Sequence, residues 1–189
     1  MPRLFTGLEL PKTISSTLSM IRGGLHGARW LTPDNYHITL RFLGDIDESM
    51  ARDALAILGR IERAPFDVQI DGLSAFGGDR PRALVASVTP TPALMELQAE
   101  HERLMRRIGL PPEPRKYTPH ITLARLRDVS PFQLASFLGS IGHFPPLRFS
   151  VEDFVMFSSR ASTGGGPYLV EALYPLDVAR EQETSRRFG

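Results

Sequence analysis

Cysteine is absent from all 189 residues. That removes disulfides, thiolate metal sites and cysteine nucleophiles, and it leaves a structural zinc site without its usual ligands. Also missing is any apolar run near the roughly 20 residues needed to cross a bilayer. The opening MPRLFTGLELPK has neither the apolar stretch nor the small-residue cleavage site of a secretory signal. A cytoplasmic address with no membrane partner is therefore expected. No charge sign dominates, since 22 Lys and Arg stand against 21 Asp and Glu, so bulk charge selects no class of partner. One local excess stands out. Arg103, Arg106, Arg107, Arg115, Lys116, Arg125 and Arg127 face only Glu113 between residues 103 and 127. Such a stretch attracts phosphates, or is simply a solvated helix face and loop.

The hydrophobic fraction of 42% is ample for a core. Strands are predicted at Arg3–Leu10, Tyr36–Leu43, Phe66–Ile70, Arg82–Val88 and His120–Leu126, from apolar runs ended by Pro or Gly. Phe149–Phe157 and Tyr168–Leu173 read as a hairpin around Ser162–Pro167. Helices are predicted at Thr13–Arg22, after an Asp47 cap, after a Thr91 cap with Pro92 in the first turn, and at Pro131–Leu138. In the third of these, His101 sits near the apolar face and reads as a partly buried structural histidine. Strands and helices in this order give an α+β fold with largely antiparallel sheet. They form one two-lobed domain over residues 1–180, with lobes of roughly 1–90 and 91–180 that are free to exchange strands, and a polar tail at 181–189. A monomer is the working expectation.

The sequence HITL occurs twice, at 37–40 and 120–123, with the histidines 83 residues apart. On a strand, residues i and i+2 share a face. His37 and Thr39 then share one face and Ile38 and Leu40 the other, and likewise for His120 and Thr122 against Ile121 and Leu123. A lone HxT strand is commonly structural. Two identical ones in corresponding halves suggest two lobes, related by a pseudo-twofold, that bring both pairs into one cleft. Two imidazoles near neutral pH supply an acid and a base, and two hydroxyls supply donors for phosphate oxygens. Neither motif has a second histidine at i+4 or a flanking acid other than Asp34, so neither a metal nor another cofactor is expected. STGGGP at 162–167 lacks the lysine and spacing of a phosphate loop and reads as a turn.

Five stretches carry a resemblance: RLFTGLELP at the start, Trp30 ahead of NYHITLRFLG, RPRALVASV at 81–89, PHITLAR at 119–125, and FVMFSS with a later GGGPY. Together they resemble the two-histidine phosphoesterases, and among them the bacterial RNA 2′,3′-cyclic phosphodiesterases, also called 2′-5′ RNA ligase-like (LigT-like) proteins. The resemblance implies a bilobal, pseudo-twofold duplicated fold with two largely antiparallel sheets lining a central cleft and helices outside. It implies metal-independent hydrolysis of a 2′,3′-cyclic phosphate end of RNA or of a nucleotide to a 2′-phosphate. A 2′-5′ ligase acting on tRNA halves and a catalytically inactive RNA-end binding module are the alternatives. His37 matches the general acid and His120 the general base, with the exchanged assignment equally open. Thr39 and Thr122 match phosphate-binding threonines. Arg125 matches the family's arginine, whereas counting by twos favours Arg41; a bulge would reverse that count. Trp30, Phe42, Tyr117 and Phe76 are candidates for stacking on a base.

Overall fold

In a computed structural model, which describes residues 3–159 and 167–177, four helices lie against one sheet of nine strands. The strands are β1 (Arg3–Glu9), β2 (Ala28–Trp30), β3 (His37–Asp45), β4 (Phe66–Phe76), β5 (Ala83–Val88), β6 (His120–Leu126), β7 (Leu147–Val151), β8 (Asp153–Ser159) and β9 (Tyr168–Pro175). The helices are α1 (Lys12–Ser19), α2 (Glu48–Leu58), α3 (Pro92–Arg107) and α4 (Pro131–Ile141). Apolar residues spaced three and four apart turn one face of each helix inward: Ile14 and Leu18 in α1, Ala54, Ile57 and Leu58 in α2, Leu94, Leu97 and Met105 in α3, and Leu134 and Phe137 in α4. Asp47 caps α2 by accepting from the Met50 amide at 2.8 Å, and Ser130 and Gln133 close a reciprocal capping box on α4. Thr91 stands at the start of α3 but its hydroxyl makes no cap; Pro92 there supplies the preset φ instead.

The sheet runs β7-β4-β5-β6-β3-β1-β8-β9, with β2 added to β6. Every pairing is antiparallel. Its two halves are related as duplicates: β3 answers β6, β1 answers β5, and β8 answers β4. They meet at a single residue pair, Ile38 with Ile121, both fully buried. The two expected sheets are thus halves of one.

The division of the chain differs from the division of the sheet. The strand–helix–strand–helix–strand unit β1-α1-β3-α2-β4 recurs as β5-α3-β6-α4-β8, so the second copy starts at β5, ahead of residue 90. Each copy places two strands in one half-sheet and its third in the other: β4 pairs with β5, and β8 with β1. The expected strand over 149–157 is two. It breaks at Glu152, sending β7 to β4 and β8 to β1, at opposite ends of the sheet. The expected turn at 162–167 and the 181–189 tail lie outside the described residues, apart from Pro167.

Candidate active site

The two HITL strands share a defect as well as a sequence. Opposite β3, Thr6 pairs with Arg41 and Gly7 with Thr39, which leaves Leu40 as an extra residue. Opposite β6, Leu84 pairs with Ala124 and Val85 with Thr122, which leaves Leu123 as the extra one. Each is a β-bulge on the fourth letter of the motif, and each reverses the alternation beyond it. Burial follows suit: Leu40 and Arg41 are both buried, as are Leu123 and Ala124, and the next residues, Phe42 and Arg125, turn out. Arg41 therefore corresponds to Ala124, and Phe42 to Arg125.

This corrects the placement of Arg41 by parity. It does not face the cleft beside His37. It is 6% exposed, and its guanidinium donates to Glu102, to the Phe42 carbonyl and, at 2.5 Å, to the Pro111 carbonyl. Arg125 lines the cleft instead.

A cavity of about 460 Å³ lies over the junction of the half-sheets and is lined by His37, Thr39, His120, Thr122 and Arg125. Because Ile38 pairs with Ile121, the antiparallel register on either side sets His37 toward Thr122 and Thr39 toward His120. Each imidazole is held the same way. His37 Nδ1 lies 2.8 Å from the Asn35 carbonyl, and His120 Nδ1 lies 2.7 Å from the Thr118 carbonyl. A carbonyl can only accept, so both Nδ1 atoms carry hydrogen, and in the neutral ring Nε2 is the basic atom. His37 Nε2 lies 3.0 Å from the Thr39 hydroxyl, which donates to it. Protonation of His37 reverses that bond and frees the hydroxyl hydrogen for another acceptor.

The rings differ in surroundings. His37 lies among Phe5, Phe157 and Tyr168, with centroids at 5.0, 5.5 and 5.0 Å. Burial there pulls its pKa down to about 4 against the opposing pull of the Asn35 carbonyl, and the nearby His120 adds to the fall. His120 touches the edge of Phe76 at 4.7 Å. Its pKa is also lowered, first by burial and then, after the raising effect of the Thr118 carbonyl, by the charge of Arg115. Arg115, from the basic stretch, pairs with Glu113 at 2.9 Å. Among the described residues no group of three or more histidines and carboxylates is placed to share a metal ion.

Of the aromatic candidates, Phe42 lines the cavity and is 50% exposed. Trp30 instead packs on Phe137 at 5.9 Å, and Phe76 supports His120. The Tyr117 hydroxyl donates to the Thr39 carbonyl at 2.8 Å, so that side chain ties the approach of β6 to β3. Phe5 and Tyr168 line the cavity although nothing in their own motifs marked them. Phe42, Phe5 and Phe157 form a row across three neighbouring strands, a signal that needs the strand order to be read. His101 is wholly rather than partly buried. Its Nδ1 donates to the Leu97 carbonyl at 2.8 Å, and its ring meets Phe154 edge-on.

The fold agrees with solved structures. A protein of Thermus thermophilus superposes with a TM-score of 0.77 at 26% identity, over 92% of this chain and 97% of its own. Escherichia coli LigT in complex with 3′-AMP superposes with a TM-score of 0.73 at 24% identity, over 93% and 99% of the two chains. In sequence, a Thermotoga maritima protein named RNA 2′,3′-cyclic phosphodiesterase is 30% identical over 165 residues, covering 86% of this chain and 87% of its own. A protein of the same name from Aquifex aeolicus is 32% identical, over 67% and 71% of the two chains. The family profile described as LigT like Phosphoesterase matches twice, at residues 8–87 and 85–168, and the second match opens within β5, where the topology begins its second copy. Matched once per structural repeat, the chain belongs to the LigT-like phosphoesterase family.

Proposed function

We propose that the protein hydrolyses 2′,3′-cyclic phosphate ends of RNA or nucleotides to 2′-phosphates without a metal. The observation that carries this is the pair of imidazoles on one cavity, both fixed through Nδ1 so that Nε2 is the reactive atom, beside two threonine hydroxyls and Arg125. The shared name of the Thermotoga and Aquifex relatives supports the same reading. His120 Nε2 takes a proton from water, whose oxygen attacks phosphorus. The bond from phosphorus to the 3′ oxygen breaks, and His37 Nε2–H gives that oxygen its proton. Thr39, Thr122 and Arg125 bind the non-bridging oxygens, where negative charge grows. Phe42 offers a face to the base. Burial disfavours the imidazolium of His37, so its acid role depends on the charge of the bound phosphate.

The deciding experiment is turnover of a nucleoside 2′,3′-cyclic phosphate by the purified protein in EDTA, with the product assigned by NMR. A 2′-phosphate should appear, and His37→Ala and His120→Ala should each lower turnover by about 10²–10⁴-fold. A nitrophenyl phosphodiester, whose leaving group needs no proton, should rescue His37→Ala and not His120→Ala; the opposite rescue exchanges the two roles. Tight binding of 2′-phosphate ends without turnover would identify an RNA-end binding module instead. Joining of tRNA halves faster than hydrolysis would identify a ligase.

A further inference from the structure

Two ties fasten the segment leading into β6 to the strand of the first motif. Arg41, at the bulge of β3, holds the Pro111 carbonyl at 2.5 Å, 70 residues away in sequence. Tyr117 reaches back to the Thr39 carbonyl, which belongs to the first motif itself. Glu102 on α3 completes the arrangement: one carboxylate oxygen accepts from Arg41 and the other accepts from the Glu113 amide at 3.2 Å. The segment 111–119 is thus held at Pro111, Glu113 and Tyr117, and it delivers Thr118, whose carbonyl orients His120. Arg41 also donates to the Phe42 carbonyl, fixing the bulge that turns Phe42 into the cavity.

The second motif has no counterpart among the described residues. Ala124 occupies the position equivalent to Arg41, and there β6 is completed by backbone pairing with Trp30 of β2. The half-sheets themselves share one residue pair, which cannot by itself fix the distance between two side chains on either side of it. We infer that the Arg41–Glu102 pair, together with the Tyr117 hydroxyl, sets the placement of His120 against the first motif, so that Arg41 is a positioning residue for the two-histidine site rather than a ligand of phosphate. A guanidinium suits the task because it spans three acceptors in fixed directions, where an ammonium on a flexible stem would not.

The inference rests on the acid–base reading for its kinetic consequence and on geometry alone for its spectroscopic one, so the test reads both. Arg41→Met removes one tie and Tyr117→Phe the other; the second changes no charge and keeps the ring. In each folded variant, kcat on a cyclic phosphate should fall at least tenfold while KM stays within about threefold. The NMR titration of His120 without substrate should move up toward its ordinary value, because a loosened site admits water. Arg41→Lys should not restore kcat. A folded Arg41→Met protein with wild-type kcat and an unmoved His120 would overturn the inference. So would a His120 shift in Arg41→Met that Tyr117→Phe does not reproduce, since that marks lost charge rather than lost placement. If Arg41→Met does not fold, Tyr117→Phe decides by the same two readings. If the wild type turns over no cyclic phosphate, the functional reading fails and the His120 titrations still decide this one.

Discussion

His37 and His120 share a sequence and an Nδ1 hydrogen bond to the carbonyl two residues back, yet their proton affinities differ because their neighbours do. Three aromatic rings surround one and a single ring touches the other. Both pKa values lie below the ordinary 6.5, that of His37 at about 4. A site that needs one ring charged and one neutral is most populated between the two values. The bell of kcat/KM, which reports the free protein, should therefore centre below pH 6.5. A bound phosphate favours both imidazolium forms, so the bell of kcat should centre higher. A kcat/KM optimum on the alkaline side of 7 would contradict this. At this scale alternation within HITL puts each histidine on one face with its threonine, and all four line one cavity, because four residues suffice for a period of two. It failed one letter later: the extra residue at Leu40 belongs to the pairing with β1 and leaves no mark in the strand's own composition. Tyr168 was hidden for a related reason, since only the pairing of β9 with β8 carries it to His37.

Strands were legible where apolar runs end at Pro or Gly, and helices where apolar residues recur at three and four. The three-residue strand β2 is too short to show any period, and it exists because β6 offers it an edge beyond the single pair with β3. Strand β1 runs close against both of its neighbours at Gly7. A Cβ on Gly7 would lie 2.6 Å from the Ile38 carbonyl and 3.2 Å from the Phe157 ring. Ile38 sits between His37 and Thr39, so the strand cannot retreat without moving both. Gly7→Ala should cost about 1–3 kcal/mol, as overpacking does, and should lower turnover as well. Gly72→Ala in β4, where a Cβ meets nothing within 4 Å, should be close to neutral on both counts. Urea unfolding and a cyclic-phosphate assay on the two variants check the contrast. Similar losses in both would show that strand glycines matter here through chain flexibility and not through the approach of β1 to β3.

For the molecule as a whole, buried histidines couple stability to acid, His37 and His101 most strongly. His37 and His101 each have a folded pKa near 4, both lowered chiefly by burial. The unfolded chain binds their protons from about pH 6.5 downward, and the folded chain does not until about pH 4. Their contribution to stability is therefore complete above 6.5 and is lost as pH falls, at about 1.4 kcal/mol per unit for each group, levelling off below 4. The urea midpoint should drop accordingly between pH 7 and 5, and His101→Leu should flatten the fall while leaving turnover intact. An unchanged slope in that variant would show that His101 is accessible to protons in the folded state. The duplication was legible in the repeated motif, and strand exchange was allowed for; which strands exchange was not legible, because β4 and β8 read alike whichever half-sheet receives them. That exchange has a consequence for synthesis. On the ribosome β1 and β3 emerge early, but β1 has no partner on its other edge until Ser159 of β8 has been made. The first copy can thus collapse only as an open-edged intermediate, exposed to pairing with another nascent chain. Completion of the two-histidine cleft is a late event, timed by the arrival of a strand that contributes neither histidine.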